Sequence, residues 1–397
     1  MKWPWKRTEE RATTMTQRDL SLVEVLGGDQ HFGQIVSAVT TEWLSAASAS
    51  IDAIAGTIAT LPAYVYRRTE AGREEDDAHP LARIIRDGPN DHQSWPDFLT
   101  WLVAETLRHG NGVAELVRDG AGRLVGLEPM PYDRRTIMLL PSGRLAYDFT
   151  EPATLQRRRL LDGEALHLRD RSDDGRIGRA RHERASPVIA AALALAKHSG
   201  ALFENGMYPG LSVQLDGRIN EEGVTRIKAQ LESLFKGPQK SGKAIIIPQA
   251  GKVEPLSVSP VDGEILAARR FAQEEAARVY GVPQPIVGIL DHGCFANVND
   301  LLRYWAMGCV SQWARKIEAE FHRSALSDTG RRTHMLEIDV SGLLRGDPQQ
   351  RWAGHKIAVE ARILTPNEVR LVEGWNPREG GDGFEEAAGS GGGGAGA

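Results

Sequence analysis

Gly237-Pro-Gln-Lys-Ser-Gly-Lys-Ala244 comes closer to a catalytic signature than any other stretch of this 397-residue chain. It approaches GxxxxGK[ST], the loop whose backbone N–H groups cradle nucleotide phosphates and whose hydroxyl residue holds magnesium. That chemistry needs a strand before the loop and a helix after it, so that the helix N-terminus points at the phosphates. Here the order is inverted: a helical pattern precedes the loop and Ala-Ile-Ile-Ile follows it, with Ala244 in place of the hydroxyl residue. A lysine-rich surface turn accounts for the segment. His292 and Cys294 lie together in Asp291-His-Gly-Cys-Phe295 and could form a nucleophilic dyad. No nucleophile elbow surrounds them, and catalytic Cys/His pairs usually meet in the fold rather than in the sequence. Two cysteines, Cys294 and Cys309, make neither a disulfide framework nor a four-ligand zinc site. From Arg157 to Arg184 nine arginines face six interleaved acids, so a solvated or inter-subunit face fits better than a nucleic-acid patch. No catalytic residue, cofactor or metal is expected, and the chain is not expected to be an enzyme.

The elements that would position such residues alternate helix and strand. Apolar spacing predicts a buried helix over 45–61, a helix over 95–109, and a hairpin over 112–127 turning at Asp119-Gly120. Further short strands follow through 168. Ser186-Pro187 is read as an N-cap with proline in the first turn, opening an Ala/Leu helix to Glu204 that is about 28 Å long. A strand at 211–215, a helix capped by Asn220, and strands at 244–247 and 253–258 form a small α/β module. A second long helix spans 261–280. A third starts at Asn299 and carries Leu302, Trp305, Cys309, Trp313, Ile317 and Phe321 as one apolar stripe. The fold class is therefore α+β, with two long helices bracketing a compact module.

Hydrophobic residues are 41%, charged residues 25% and the net charge −5, an ordinary globular balance without the basic excess of a tight DNA binder. No uncharged apolar run is long enough to cross a membrane, and the first residues lack the apolar core of a signal peptide. Residues 1–27 are expected to be a flexible arm, and the Gly-rich 379–397 a disordered tail.

The chain resembles the HK97-type portal family over roughly residues 40–375. The resemblance rests on His79-Pro-Leu with Gly88-Pro-Asn90, Gly110-Asn-Gly112, Leu127-Glu-Pro-Met-Pro131, and Glu164-Ala-Leu-His-Leu-Arg169. It continues in Ser186-Pro187 with Phe203, Asn205 and Gly206, Val279-Tyr-Gly-Val-Pro283, Asn297-Val-Asn-Asp300, and Leu364-Thr-Pro-Asn-Glu-Val-Arg370. Their order and spacing carry the match, which extends to the shorter members found in gene transfer agents.

The resemblance implies an elongated protomer: wing at 28–185, stem helices at 186–206 and 260–281, clip at 207–259, and tunnel loop at 282–300. A long wing helix with a closing strand at 301–345 and a short helical crown at 346–378 complete it. It implies a homo-oligomeric ring of about twelve copies at one capsid vertex, assembled in the host cytoplasm and resident in the virion or phage-like particle. DNA would pass through the ring during packaging and ejection. Implied partners are the major capsid protein, the terminase large subunit and a head-tail adaptor, with transient non-specific contact to duplex DNA and none to membrane. Asp291, His292, Phe295, Asn297 and Asn299 would face the channel, and Lys236, Lys240 and Lys243 would form part of the partner-binding clip. The tunnel-loop stretch has no evident basic residue, so tight gripping of DNA is not expected there. The other readings are a different ring or adaptor of the same particle, or an NTPase or Cys/His hydrolase.

Overall fold

The computed structural model describes residues 30–70, 72–151, 154–204, 211–215, 225, 251–255, 261–289, 298–344 and 348–384. The described chain opens on a short hairpin, β1 (Gln30–His31) with β2 (Gln34–Ile35), followed by α1 (Ala38–Glu42) and α2 (Ser45–Ala59). β3 (Ala63–Thr69) and β4 (Gly72–Glu75) pair antiparallel, and α3 (Pro80–Asp87) and α4 (Trp95–His109) follow them. Six strands follow: β5 (Asn111–Arg118), β6 (Leu124–Pro129), β7 (Arg135–Leu139), β8 (Leu145–Thr150), β9 (Arg157–Leu161) and β10 (Ala165–Arg169). They form two antiparallel sheets, ordered β10-β5-β6 and β7-β8-β9.

α5 (Arg181–Arg184) leads into α6 (Ser186–Glu204). The strands β11 (Leu211–Leu215) and β12 (Gly251–Pro255) pair antiparallel and bridge the end of α6 to the start of α7 (Val261–Tyr280). α8 (Val298–Trp305), a π-helical turn at Ala306–Val310, and α9 (Ser311–Ser324) make one long helix. β13 (His334–Ile338) then adds to β3, placing Leu336 opposite Val65 in a sheet ordered β13-β3-β4. α10 (Pro348–Glu360) and α11 (Pro366–Val372) close the described chain. The architecture is α+β, as the alternating patterns predict.

Local sequence accounts for the element ends. Ser94 caps α4 through a reciprocal box with Asp97, with Pro96 in the first turn, and Gly110 ends the helix in the left-handed region at φ 75°. Thr365 and Glu368 repeat the box at α11. The core is continuous. Ile51, Ile54 and Ile58 of α2 pack among small Ala and Ser neighbours, which allows close approach to Phe98, Leu99, Leu102 and Val103 of α4, all fully buried. Trp313, Ile317 and Phe321 of α9 join the same core.

Four expectations shift. Ser186 is the first residue of α6 rather than its cap, because Ala185 stands in the cap position: the N–H groups of Val188 and Ile189 both reach Ala185 O. The strand expected at 253–258 is described at Gly251–Pro255, and the third long helix begins one residue earlier, at Val298. That helix is not uniform, since the Ser311 N–H bonds Ala306 O across a π turn. From Leu302 to Phe321 is 19 residues, which at about 100° per residue overshoots five turns by one residue. The π turn absorbs that residue and keeps Trp305, Trp313, Ile317 and Phe321 buried on one side, while Leu302 stays exposed. β9, where Arg157, Arg158 and Arg159 come in succession, has no apolar alternation to announce it. The arm at 1–27, most of the α/β module, including the strand at 244–247 and the body of the helix capped by Asn220, and the tail beyond 384 lie outside the described residues.

Candidate functional site

The residues expected to face a channel or a partner fall mostly outside the described part: Asp291, His292, Phe295 and Asn297, and likewise Lys236, Lys240 and Lys243. Asn299 is described as the second residue of α8. Cys294 and the 237–244 segment are also outside. Cys309 sits in the π turn, half-buried, and burial pushes its thiol pKa up, the direction of an inert core thiol. Among the described residues no group of three or more His, Cys, Asp or Glu could hold a metal ion.

What the described residues do show is the junction between the strand-rich lobe and the α6–α7 pair. Asp170, just past β10, is buried. Its N–H donates to Gly110 O at 2.9 Å, which anchors it to the start of β5. Its Oδ2 accepts from Arg181 Nε at 2.9 Å and from Arg184 at 3.0 Å. Arg181 also donates to Tyr280 O, the carbonyl at the C-terminus of α7, where a cation is favoured by the helix dipole. The same guanidinium lies 5.8 Å from the Trp313 ring of α9. One arginine therefore touches the strand lobe, α7 and α9.

The long helix is held by two buried glutamates. Glu320 Oε1 accepts from the His167 N–H of β10 at 2.9 Å, and Glu318 Oε1 accepts from the Ile338 N–H of β13 at 2.8 Å. Residues two apart on a helix point about 200° apart, so α9 is clamped from opposite sides by two sheets. Arg323 neutralises Glu320 at 2.7 Å and Asp162 at 3.2 Å.

The arginine-rich stretch is matched by carboxylates. Arg157 and Arg159 pair with Asp148, Arg158 with Glu115, Arg169 with Glu320, Arg171 and Arg179 with Asp173, and Arg181 and Arg184 with Asp170. Such internal pairing leaves little of the open cationic stripe on which phosphate binding depends. Asp170, Glu318 and Glu320 were not singled out from the sequence. Their only signal is an acid beside apolar positions, which does not distinguish a buried ligand from a surface charge.

Three imidazoles are buried in the neutral form. His167 accepts from Tyr147 OH at Nδ1 (3.0 Å) and donates from Nε2 to Asn111 Oδ1 (2.9 Å), a carbonyl oxygen that also accepts from the Gly178 N–H. Burial holds its pKa well below the usual value, that of His109 at about 3 and that of His182 at about 4. Each binds a proton more readily unfolded than folded, so stability is complete above pH ~6.5 and is lost as pH falls towards the folded values. Glu105, whose carboxyl is pushed up by burial, opposes this by at most one proton. The net loss is about 3 kcal/mol per pH unit below pH 6. Urea midpoints measured from pH 7.5 to 5.0 should fall steeply over the lower half of that range. A flat profile would contradict the neutral burial of these rings.

Comparison with known proteins adds the following. The family model described as phage portal protein matches residues 45–374. The portal protein of Enterobacteria phage HK97 is 27% identical over 337 residues, covering 82% of this chain and 77% of that protein. The probable portal protein of Streptomyces phage phiC31 is 25% identical over 369 residues, covering 89% and 79%. Among solved structures, an HK97 family phage portal protein from Corynebacterium diphtheriae is similar at a TM-score of 0.56 with 14% identity, covering 79% of this chain and 100% of that one. A chain from the neck of a native gene transfer agent particle, computed with C12 symmetry, is similar at 0.55 with 18% identity, covering 91% and 100%. At these identities the structural likeness speaks to the fold.

Proposed function

The chain belongs to the phage portal protein family, and from that premise we propose that about twelve copies close into a ring at one capsid vertex, through which DNA is packaged and later ejected. The observation that carries this reading is the match of the family model across residues 45–374, which takes in both long helices, the strand pair between them and the whole α8–α9 rod. Residues 28–185 are assigned to the wing, 186–206 and 260–281 to the stem, 207–259 to the clip, 282–300 to the tunnel loop and 346–378 to the crown. The family's role is structural, and ATP hydrolysis is assigned to the separate terminase large subunit.

The channel should pass DNA without holding it. Each Lys or Arg that neutralises a phosphate adds affinity through counterion release, and a ring would multiply that affinity and stall movement. This chain has a net charge of −5. Its arginine-rich stretch is largely tied up in internal ion pairs, and its tunnel-loop residues Asp291, His292, Phe295, Asn297 and Asn299 include no Lys or Arg. Contact with DNA is then steric and polar. Purified rings mixed with duplex DNA at physiological salt should show no retention in a gel-shift or sedimentation assay below about 10 μM, where merely non-specific DNA binders already bind. Tight, salt-sensitive binding would overturn the free-sliding channel.

Lys236, Lys240 and Lys243 are proposed to face the motor and the head-tail adaptor in turn. Surface charge of this kind acts chiefly on the rate of docking. Reversing all three to Glu should lower packaging or tail attachment several-fold while leaving ring formation intact. Unchanged yields of filled, tailed particles would assign them to a bare turn.

A further inference from the structure

A cavity of about 660 Å3 opens between α1, α4, the β6–β7 connection and the loop ahead of α5. Its volume falls within the range of about 300–1,000 Å3 typical of ligand-sized sites. On its wall His182 is only 2% exposed, yet neither of its ring nitrogens has a hydrogen-bond partner. The neutral imidazole offers one N–H and one lone pair, and native proteins rarely leave both of these buried and unused. Beside it, His109 stacks on Tyr132 with centroids 4.0 Å apart and planes 7° from parallel, and Trp101 supplies another aromatic surface.

The lining is acidic. Glu105, Asp133, Asp173, Asp174 and Glu183 stand against two guanidiniums, Arg108, met by Glu42 at 2.6 Å, and Arg179, which lies 3.5 Å from Asp173 and 3.8 Å from Glu183. An aromatic, hydrogen-bonding interior behind an acidic mouth suits a peptide that carries aromatic side chains flanked by cations.

The chain contains such a peptide. Lys2-Trp3-Pro4-Trp5-Lys6-Arg7 sets two indoles among three cations. It is tethered at Gln30, seven residues before Ser37, which lines the cavity with Ala38 and Val39. Residues 8–29 can span up to about 70 Å, ample for a segment tethered this near to reach in. A tether also raises the effective concentration to the millimolar range, so modest contacts suffice.

We propose that Trp3–Arg7 docks in this cavity of its own subunit, with an indole N–H or a peptide group completing His182 and the cations resting at Asp133 and Glu183. The proposal does not depend on ring closure and stands apart from the portal reading.

The test places a benzophenone-bearing phenylalanine at position 5 of the full chain. After irradiation the protein is separated under denaturing conditions, digested and analysed by mass spectrometry. The expected crosslinks join position 5 to residues 101–137 or 173–183, in a band at the mass of one chain. Asp133→Lys with Glu183→Lys, both on the open mouth, should cut the yield several-fold while near-UV circular dichroism stays unchanged. Crosslinks to other segments, a band at the mass of two chains, no crosslink, or a yield indifferent to the charge reversal would each overturn the proposal.

Discussion

A single buried carboxylate, that of Asp170, decides how the strand-rich lobe meets the helices. It is fixed to β5 through its own N–H and binds two guanidiniums, one of which reaches the last carbonyl of α7. Such a group is costly to desolvate, and loss of one partner leaves the others buried and uncompensated, at about 3–5 kcal/mol. The arrangement is therefore close to all-or-none. It ties the strand lobe to the C-terminal end of α7 and to the turn that precedes α6. The second restraint, Glu318 and Glu320 on opposite sides of α9, fixes the long helix against both sheets. A ring subunit under load from moving DNA needs joints of this kind, in which polar geometry specifies orientation while the apolar core supplies most of the stability.

Much of the fold was legible in the sequence because its elements are strongly patterned. α4 announces itself through Phe98, Leu102 and Leu107 at helical spacing and through Gly110 at its end, and the β5–β6 hairpin through Asp119-Gly120. The bounds of α7 follow directly from its apolar periodicity. β9 was hidden because three successive arginines have no period of two, and only its pairing with β8 makes it a strand. The π turn leaves a trace in the spacing: the four successive steps of four from Trp305 to Phe321 cannot stay on one face of a regular α-helix. The hubs at Asp170, Glu318 and Glu320 were not legible, because each owes its role to partners more than ten residues away in sequence.

Electrostatics connect the fold to the proposed task. Arginine is abundant here, yet from Arg157 to Arg184 its charge is largely spent on holding strands, loops and helix ends together. A portal with these pairs can be rich in guanidinium and still present a wall that does not grip phosphate. The family match places the chain among portals, the internal pairing of these arginines supports the proposed conduit, and the near-P-loop at 237–244 has Ala244 where a magnesium-binding hydroxyl belongs.

The central claim, that this chain is a ring at one vertex, is tested most directly by imaging particles that carry it, with asymmetric reconstruction so that a unique vertex is not averaged away. The account predicts one closed ring of about twelve copies at a single vertex, the α6–α7 pairs grouped about its axis and density for DNA passing through. Copies distributed over all vertices, spread along a tail, or absent from the head-tail junction would contradict it.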